Sequence, residues 1–193
     1  RDVCVKDGKI VADVPAHARR IDARGTVVMP GGVDIHAHIA GPAVNAARKL
    51  APEEHGADVL ERTANARSGT GGTVPSTFAT GYRYALLGYT TVVEAATPPL
   101  AARHVLSELR DTPMIDALFL LLMGNNVALF DLIRRDPARV RDAVAWWLQS
   151  TGGYGVKLVN PGGVEQWKHG NGNVTSLDDD VAGVTPRQVL DAI

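Results

Sequence analysis

Apolar and polar positions alternate with a period of two at the start of the chain. Val3 and Val5, then Ile10 and Ala12, flank Asp7-Gly8, a dipeptide suited to a tight hairpin, so residues 3–14 predict two short strands. Ile21 and the run Thr26-Val27-Val28-Met29 continue the pattern. Pro30-Gly31-Gly32 breaks it before a second apolar run, Val33-Asp34-Ile35-His36-Ala37-His38-Ile39. From there short apolar runs alternate with helical stretches, the mark of βα units on a parallel sheet. Runs 89–94, 115–123 and 156–159 predict three further strands. One crossover helix begins near Thr97-Pro98-Pro99, carries Ala102, Val105, Leu106 and Leu109 on one face, and stops before Pro113. Another starts with Asp136 as N-cap and Pro137 in the first turn, presents Val140, Val144, Trp147 and Leu148, and ends at Gly152-Gly153. Thr185-Pro186 opens a third. Residues 41–81 are rich in Gly, Thr and Ser with only patchy helical signal. That is far longer than an ordinary βα loop, and long loops at strand ends usually carry function.

The expected class is α/β. Four parallel strands in series begin either a doubly wound sheet or a (β/α)8 barrel, and a barrel usually needs about 250 residues, so 193 would hold about half of one. The chain opens on Arg1 and not on Met, and its last residues fall inside a helical pattern, so both ends look cut. Hydrophobic residues make up 45% of the chain, enough for a sizeable core. The formal net charge of -1 gives no reason to expect nucleic acid or a membrane surface as a partner. No apolar run approaches the roughly 20 residues of a membrane span. A single cysteine, Cys4, excludes an internal disulfide framework and a thiolate metal cluster, which suits a reducing, cytoplasmic setting.

The sharpest chemical feature is His36-Ala37-His38. Residues two apart in a strand project from one face, so both imidazoles can reach a single metal ion. A bare pair of this kind more often has one histidine buried and the other solvated. The preceding strand and Pro-Gly-Gly turn favour the metal, because they put the pair at the C-terminal end of a first barrel strand, where barrel enzymes work. Lys157 lies in an apolar run between Val156 and Leu158, a costly place for an ammonium unless it is paired or neutralised. It is either a salt-bridged strand lysine or a lysine of lowered pKa whose neutral amine adds carbon dioxide, giving a carbamate that bridges two cations. Asn160-Pro161-Gly162-Gly163 after it is a turn that lets backbone approach a ligand.

Other candidates are weaker. Asp34 sits two residues deeper than the histidine pair and suits the orienting of an imidazole better than ligation. Glu94 lines a pocket or serves in a cap or salt bridge. Asn125-Asn126 is a turn or a donor to an acyl oxygen. His55, His104 and His169 have no partner at ligand spacing and read as surface or core histidines.

Pro30-Gly31-Gly32-Val33-Asp34-Ile35-His36-Ala37-His38 resembles the first metal motif of the amidohydrolase superfamily, in which a small β-sandwich precedes the barrel. That resemblance implies residues 1–30 as part of such a sandwich and residues 31–193 as the N-terminal half of a metallo-dependent hydrolase (β/α)8 barrel, truncated to about strands 1–4, with the long loop 41–81. It also implies a carboxylated lysine ending strand four, the place of Lys157. A narrower resemblance is to the A subunits of formylmethanofuran dehydrogenases and of formyltransferase/hydrolase complexes. It is carried by His38-Ile39-Ala40-Gly41-Pro42-Ala43-Val44-Asn45, Arg48, Pro52-Glu53-Glu54-His55, Gly88-Tyr89-Thr90-Thr91, Glu94-Ala95-Ala96-Thr97-Pro98-Pro99-Leu100, Lys157-Leu158-Val159-Asn160-Pro161-Gly162-Gly163, Trp167-Lys168 and Val184-Thr185-Pro186-Arg187.

This resemblance implies a zinc-dependent, reversible hydrolysis of N-formylmethanofuran to formate and methanofuran in one-carbon metabolism, within a complex of several subunits. His36, His38 and a carbon dioxide-derived carbamate on Lys157 would be the metal and catalytic residues at two Zn2+ ions. The family's remaining histidine ligands and catalytic aspartate would lie beyond Ile193, so these 193 residues alone are expected to be inactive. Two rivals stay open: an amidohydrolase acting on cyclic amides, like a dihydropyrimidinase or dihydroorotase, and a non-catalytic scaffold protein.

Overall fold

The computed structural model describes residues 2–50, 77–161 and 184–193. The chain divides into two compact units, Arg1–Gly31 and Gly32–Ile193. In the first, β1 (Cys4–Lys6) and β2 (Lys9–Val11) pair antiparallel, with Cys4 opposite Val11 and Lys6 opposite Lys9. The two residues between them, Asp7 and Gly8, both take positive φ, 51° and 72°, as a two-residue hairpin turn of matching twist requires. Residues 26–29 depart from expectation and form no strand. An extended segment needs a ladder partner to satisfy its backbone; none pairs with it among the described residues, and Val27 and Met29 are exposed.

The second unit holds β3 (Gly32–Ala37), α1 (Pro42–Lys49), α2 (Thr77–Leu86), β4 (Tyr89–Thr97), α3 (Ala102–Arg110), β5 (Asp116–Leu122), α4 (Val127–Arg135), α5 (Val140–Thr151), β6 (Gly155–Lys157) and α6 (Pro186–Ala192). Its four strands run parallel in the order β3-β4-β5-β6. Helices fill the crossovers, giving the four-strand βα series of a truncated (β/α) barrel. β4 is buried on both faces from Val92 to Ala95, as a central parallel strand between layers should be. The core joins Phe119 and Leu121 of β5 to Val105 and Leu109 of α3, Phe130 of α4 and Val140 of α5.

The crossover from β5 to β6 contains two helices where the pattern predicts one. Asn126 caps the first of them, α4: its Oδ1 accepts the Leu129 N–H at 3.2 Å, while Leu129, Phe130 and Ile133 are buried. Asp136 makes no side-chain cap. The chain enters α5 through a 3-10 turn, Pro137–Arg139, and leaves it at Gly152 with φ 74°. Thr185 and Gln188 form a full capping box on α6. Of the long loop 41–81, residues 51–76 lie outside the described residues, and its two ends are helical. α2 packs so closely that Gly81 faces the backbone and ring of Pro113 with no room for a Cβ.

Candidate metal centre

β3 ends at Ala37, so His36 is within the strand and His38 one residue past it. Between the pairs Asp34–Val92 and Ala37–Glu94, β3 advances three residues while β4 advances two. Such a bulge bends the strand and re-aims its side chains beside a site. The rings of His36 and His38 stand 5.5 Å apart between centroids, nearly perpendicular at 89°. Imidazoles that share a tetrahedral zinc through nitrogens at about 2.0–2.1 Å have centres roughly 5 Å apart, so this pair fits one ion.

Lys157 is the last residue of β6, and its Nζ lies 3.3 Å from His36 Nδ1. β3 and β6 are the two outer strands, which a flat sheet would hold roughly 14 Å apart. Their side chains meet because the sheet curls and both lean over its concave face. The enclosed setting expected for Lys157 is not found. The residue is half-buried, since β6 pairs only with β5 among the described residues. As an amine, Nζ donates to His36 Nδ1 and offers no oxygen. Among the described residues no three His, Cys, Asp or Glu side chains converge. The two imidazoles therefore suit one metal ion, and a protonated Lys157 adds no lone pair to them.

The carboxylate that reaches a ring nitrogen of the pair is Glu94, 2% exposed in the middle of β4. Its Oε1 lies 3.1 Å from His38 Nδ1, and its Oε2 accepts the N–H of Ile39 at 2.6 Å and of Ala40 at 3.0 Å. The sequence carried a sign of this. An anion between Val93 and Ala95 is costly to bury unless fully hydrogen-bonded, so strong partners had to exist. Asp34 holds backbone and not the imidazole ring expected of it: Oδ1 accepts the backbone N–H of His36 at 3.0 Å and Oδ2 the hydroxyl of Tyr84 at 2.9 Å. Burial, and next the bond to Asp34, push the Tyr84 phenol up to about 12.

A second polar cluster holds the turn after the histidines. Arg48 of α1 donates to the carbonyl of Ile39 at 2.5 Å, to Asn45 Oδ1 at 3.0 Å and to Thr80 Oγ1 at 3.3 Å. Glu108 of α3 accepts the Gly41 N–H at 2.6 Å, the Asn45 amide, and His104 Nε2 at 3.0 Å. Burial lowers the Arg48 guanidinium from its usual value. For Glu108 burial acts upward, but the Gly41 N–H, the Asn45 amide and His104 together outweigh it and hold the carboxyl below the usual range. Sequence reasoning named neither Glu108 nor its tie to His104. Asn125 Oδ1 is buried with no hydrogen-bond partner among the described residues. Asn160 turns the chain after β6 with φ 40°. His55, His169 and Gly162-Gly163 lie outside the described residues.

A family model described as Amidohydrolase family matches residues 19–184. Protein FwdA of Methanocaldococcus jannaschii is 47% identical over 192 residues, which is 98% of this chain and 34% of FwdA. The Fhc protein of Methylorubrum extorquens that forms the A component of its formyltransferase/hydrolase complex is 38% identical over 202 residues, 100% of this chain and 35% of that protein. The crystal structure of the complex FhcABCD from the same organism, bound to methylofuran, matches with a TM-score of 0.76 at 36% identity, over 98% of this chain and 35% of that one. The chain thus spans about a third of the length of these relatives. An allantoinase of Bacillus licheniformis is 48% identical, but over 44 residues and 21% of the chain.

Proposed function

The chain belongs to the amidohydrolase family, and on that premise we propose that it is part of the A subunit of a formylmethanofuran dehydrogenase or formyltransferase/hydrolase complex, hydrolysing the N-formyl amide of formylmethanofuran reversibly to formate and methanofuran. The observation that carries this reading is the similarity, along essentially the whole chain, to FwdA and to the A component of Fhc, against a match to the cyclic-amide hydrolase allantoinase over 44 residues. The other subunits of such a complex would be its partners.

His36 and His38 would hold one of two zinc ions. The amine of Lys157 would add through nitrogen to the carbon of CO2 and lose a proton, and the resulting carbamate would give each ion an oxygen. Bound zinc supplies two things to amide hydrolysis: polarisation of the formyl carbonyl and a nucleophile drawn from water near neutral pH. The remaining ligands and the proton-shuttling aspartate are expected in parts of the protein outside these 193 residues. Asp34 and Tyr84 would fix the backbone at His36, and Arg48 and Glu108 the turn after His38.

Formate release from formylmethanofuran, measured on the whole protein in its complex, tests the reading. Lys157→Met should cut it at least about a hundredfold and reduce bound zinc from two ions to one or none. Turnover of hydantoin or dihydroorotate instead would transfer the protein to the cyclic-amide hydrolases. A wild type with fewer than about one zinc per chain would point to a scaffold.

A further inference from the structure

Among the described residues the Glu94 side chain makes three hydrogen bonds, all to the segment that follows β3, and their arrangement assigns it a task. Backbone N–H groups can only donate, so Oε2 is committed as acceptor to Ile39 and Ala40. The carboxylate is thereby fixed in place with Oε1 turned toward His38 Nδ1 at 3.1 Å. A carboxylate oxygen accepts, so Nδ1 must carry a proton, and in the neutral imidazole Nε2 then keeps its lone pair. The carboxylate is 3% exposed while the imidazole is 56% exposed, so the buried partner anchors the open one. The bulges reinforce this. β3 gains a residue on β4 just before Glu94, and from Glu94 to Thr97 β4 gains one on β5, so two of the sheet's three register breaks adjoin this residue.

We infer that Glu94 is the positioning residue of the histidine pair: it locks His38 in the Nδ1–H tautomer and fixes its ring, so that Nε2 is the atom presented to a metal ion. Among the described residues His36 has no such partner. Its Nδ1 faces Lys157 Nζ, so the two histidines of the pair are set up differently. Holding one ring nitrogen to free the other is how carboxylates support histidine ligands, and losing such support typically weakens metal binding 10- to 100-fold. The inference rests on the metal-binding reading above, but its first readout needs no metal.

Glu94→Gln separates positioning from support of the fold. Two backbone donors compete for acceptors here, so the Gln carbonyl takes the place of Oε2 and its NH2 faces His38. That reverses the hydrogen bond and moves the imidazole proton to Nε2. The test uses the whole protein with 15N-labelled histidine, the His38 signals being those that His38→Asn removes. In metal-free wild type, His38 should be protonated at Nδ1, and in Glu94→Gln at Nε2. Competition with a chelator should then show zinc bound about 10- to 100-fold more weakly by Glu94→Gln. Wild-type His38 protonated at Nε2 would overturn the inference whether or not the variant folds. So would a folded Glu94→Gln protein that binds zinc as tightly as wild type. A wild type that binds no zinc, yet shows the tautomer exchange, would overturn the metal reading and leave the hold of Glu94 on His38 standing.

Discussion

Tyr84 shows how single residues far apart in sequence set the backbone of the site. Its hydroxyl donates to Asp34 Oδ2, and Asp34 Oδ1 in turn holds the His36 N–H. Removing the hydroxyl in Tyr84→Phe should cost about 1 kcal/mol at neutral pH, measured by urea unfolding. The pH dependence has a definite sign. The folded phenol, at about 12, lies above the ordinary value of 10.0, so its contribution is complete below 10.0 and is lost as pH rises through about 12. Tyr84→Phe should flatten that alkaline fall, and an unchanged profile would sink the assignment. At this scale the closeness of His36, His38 and Lys157 was legible, because spacing and position at strand ends bring them together. Glu94 was legible only as an anion in an apolar strand that needs partners, and Glu108 was not legible. Their partners at His38 and Gly41 lie 56 and 67 residues away, and nothing local in the chain names them.

Elements were legible wherever two independent signals agreed. β4, β5 and α3 have an apolar period and clear breakers at their ends, and each formed close to the expected bounds. α4 was missed because its nine residues offer one short apolar face, and the stronger start signal of Asp136-Pro137 drew the helix start to itself. Packing against α5 and α6, with the Asn126 cap, supplies what local preference does not. α2 gives a prediction with opposed signs. In an open helix Gly→Ala stabilises by about 1 kcal/mol. At Gly81 a Cβ would strike Pro113, so Gly81→Ala should instead lose about 1–3 kcal/mol in a urea titration of the whole protein. A gain in stability would mean that α2 does not press on the segment before β5.

Across the second unit, the parallel sheet presents two outer strands, β3 and β6, with no further strand beside them among the described residues. Val33 and Ile35 on β3 are 58% and 72% exposed. Unpaired edges with apolar side chains invite association. These 193 residues expressed alone should therefore aggregate or self-associate in light scattering, where the whole protein stays dispersed. A monodisperse, monomeric segment would contradict this. The reach from Lys157 to His36 crosses the full width of that sheet and 121 positions of sequence. Three strand pairings intervene, and a slip of one residue in any of them displaces one side by about 3.3 Å and turns its side chains to the opposite face. The meeting of these two groups is thus a gauge of assembly: if the proposed ion binds here, a chain that has paired any strand wrongly would have no place to put it, and a chain that takes it up would thereby have been proofread.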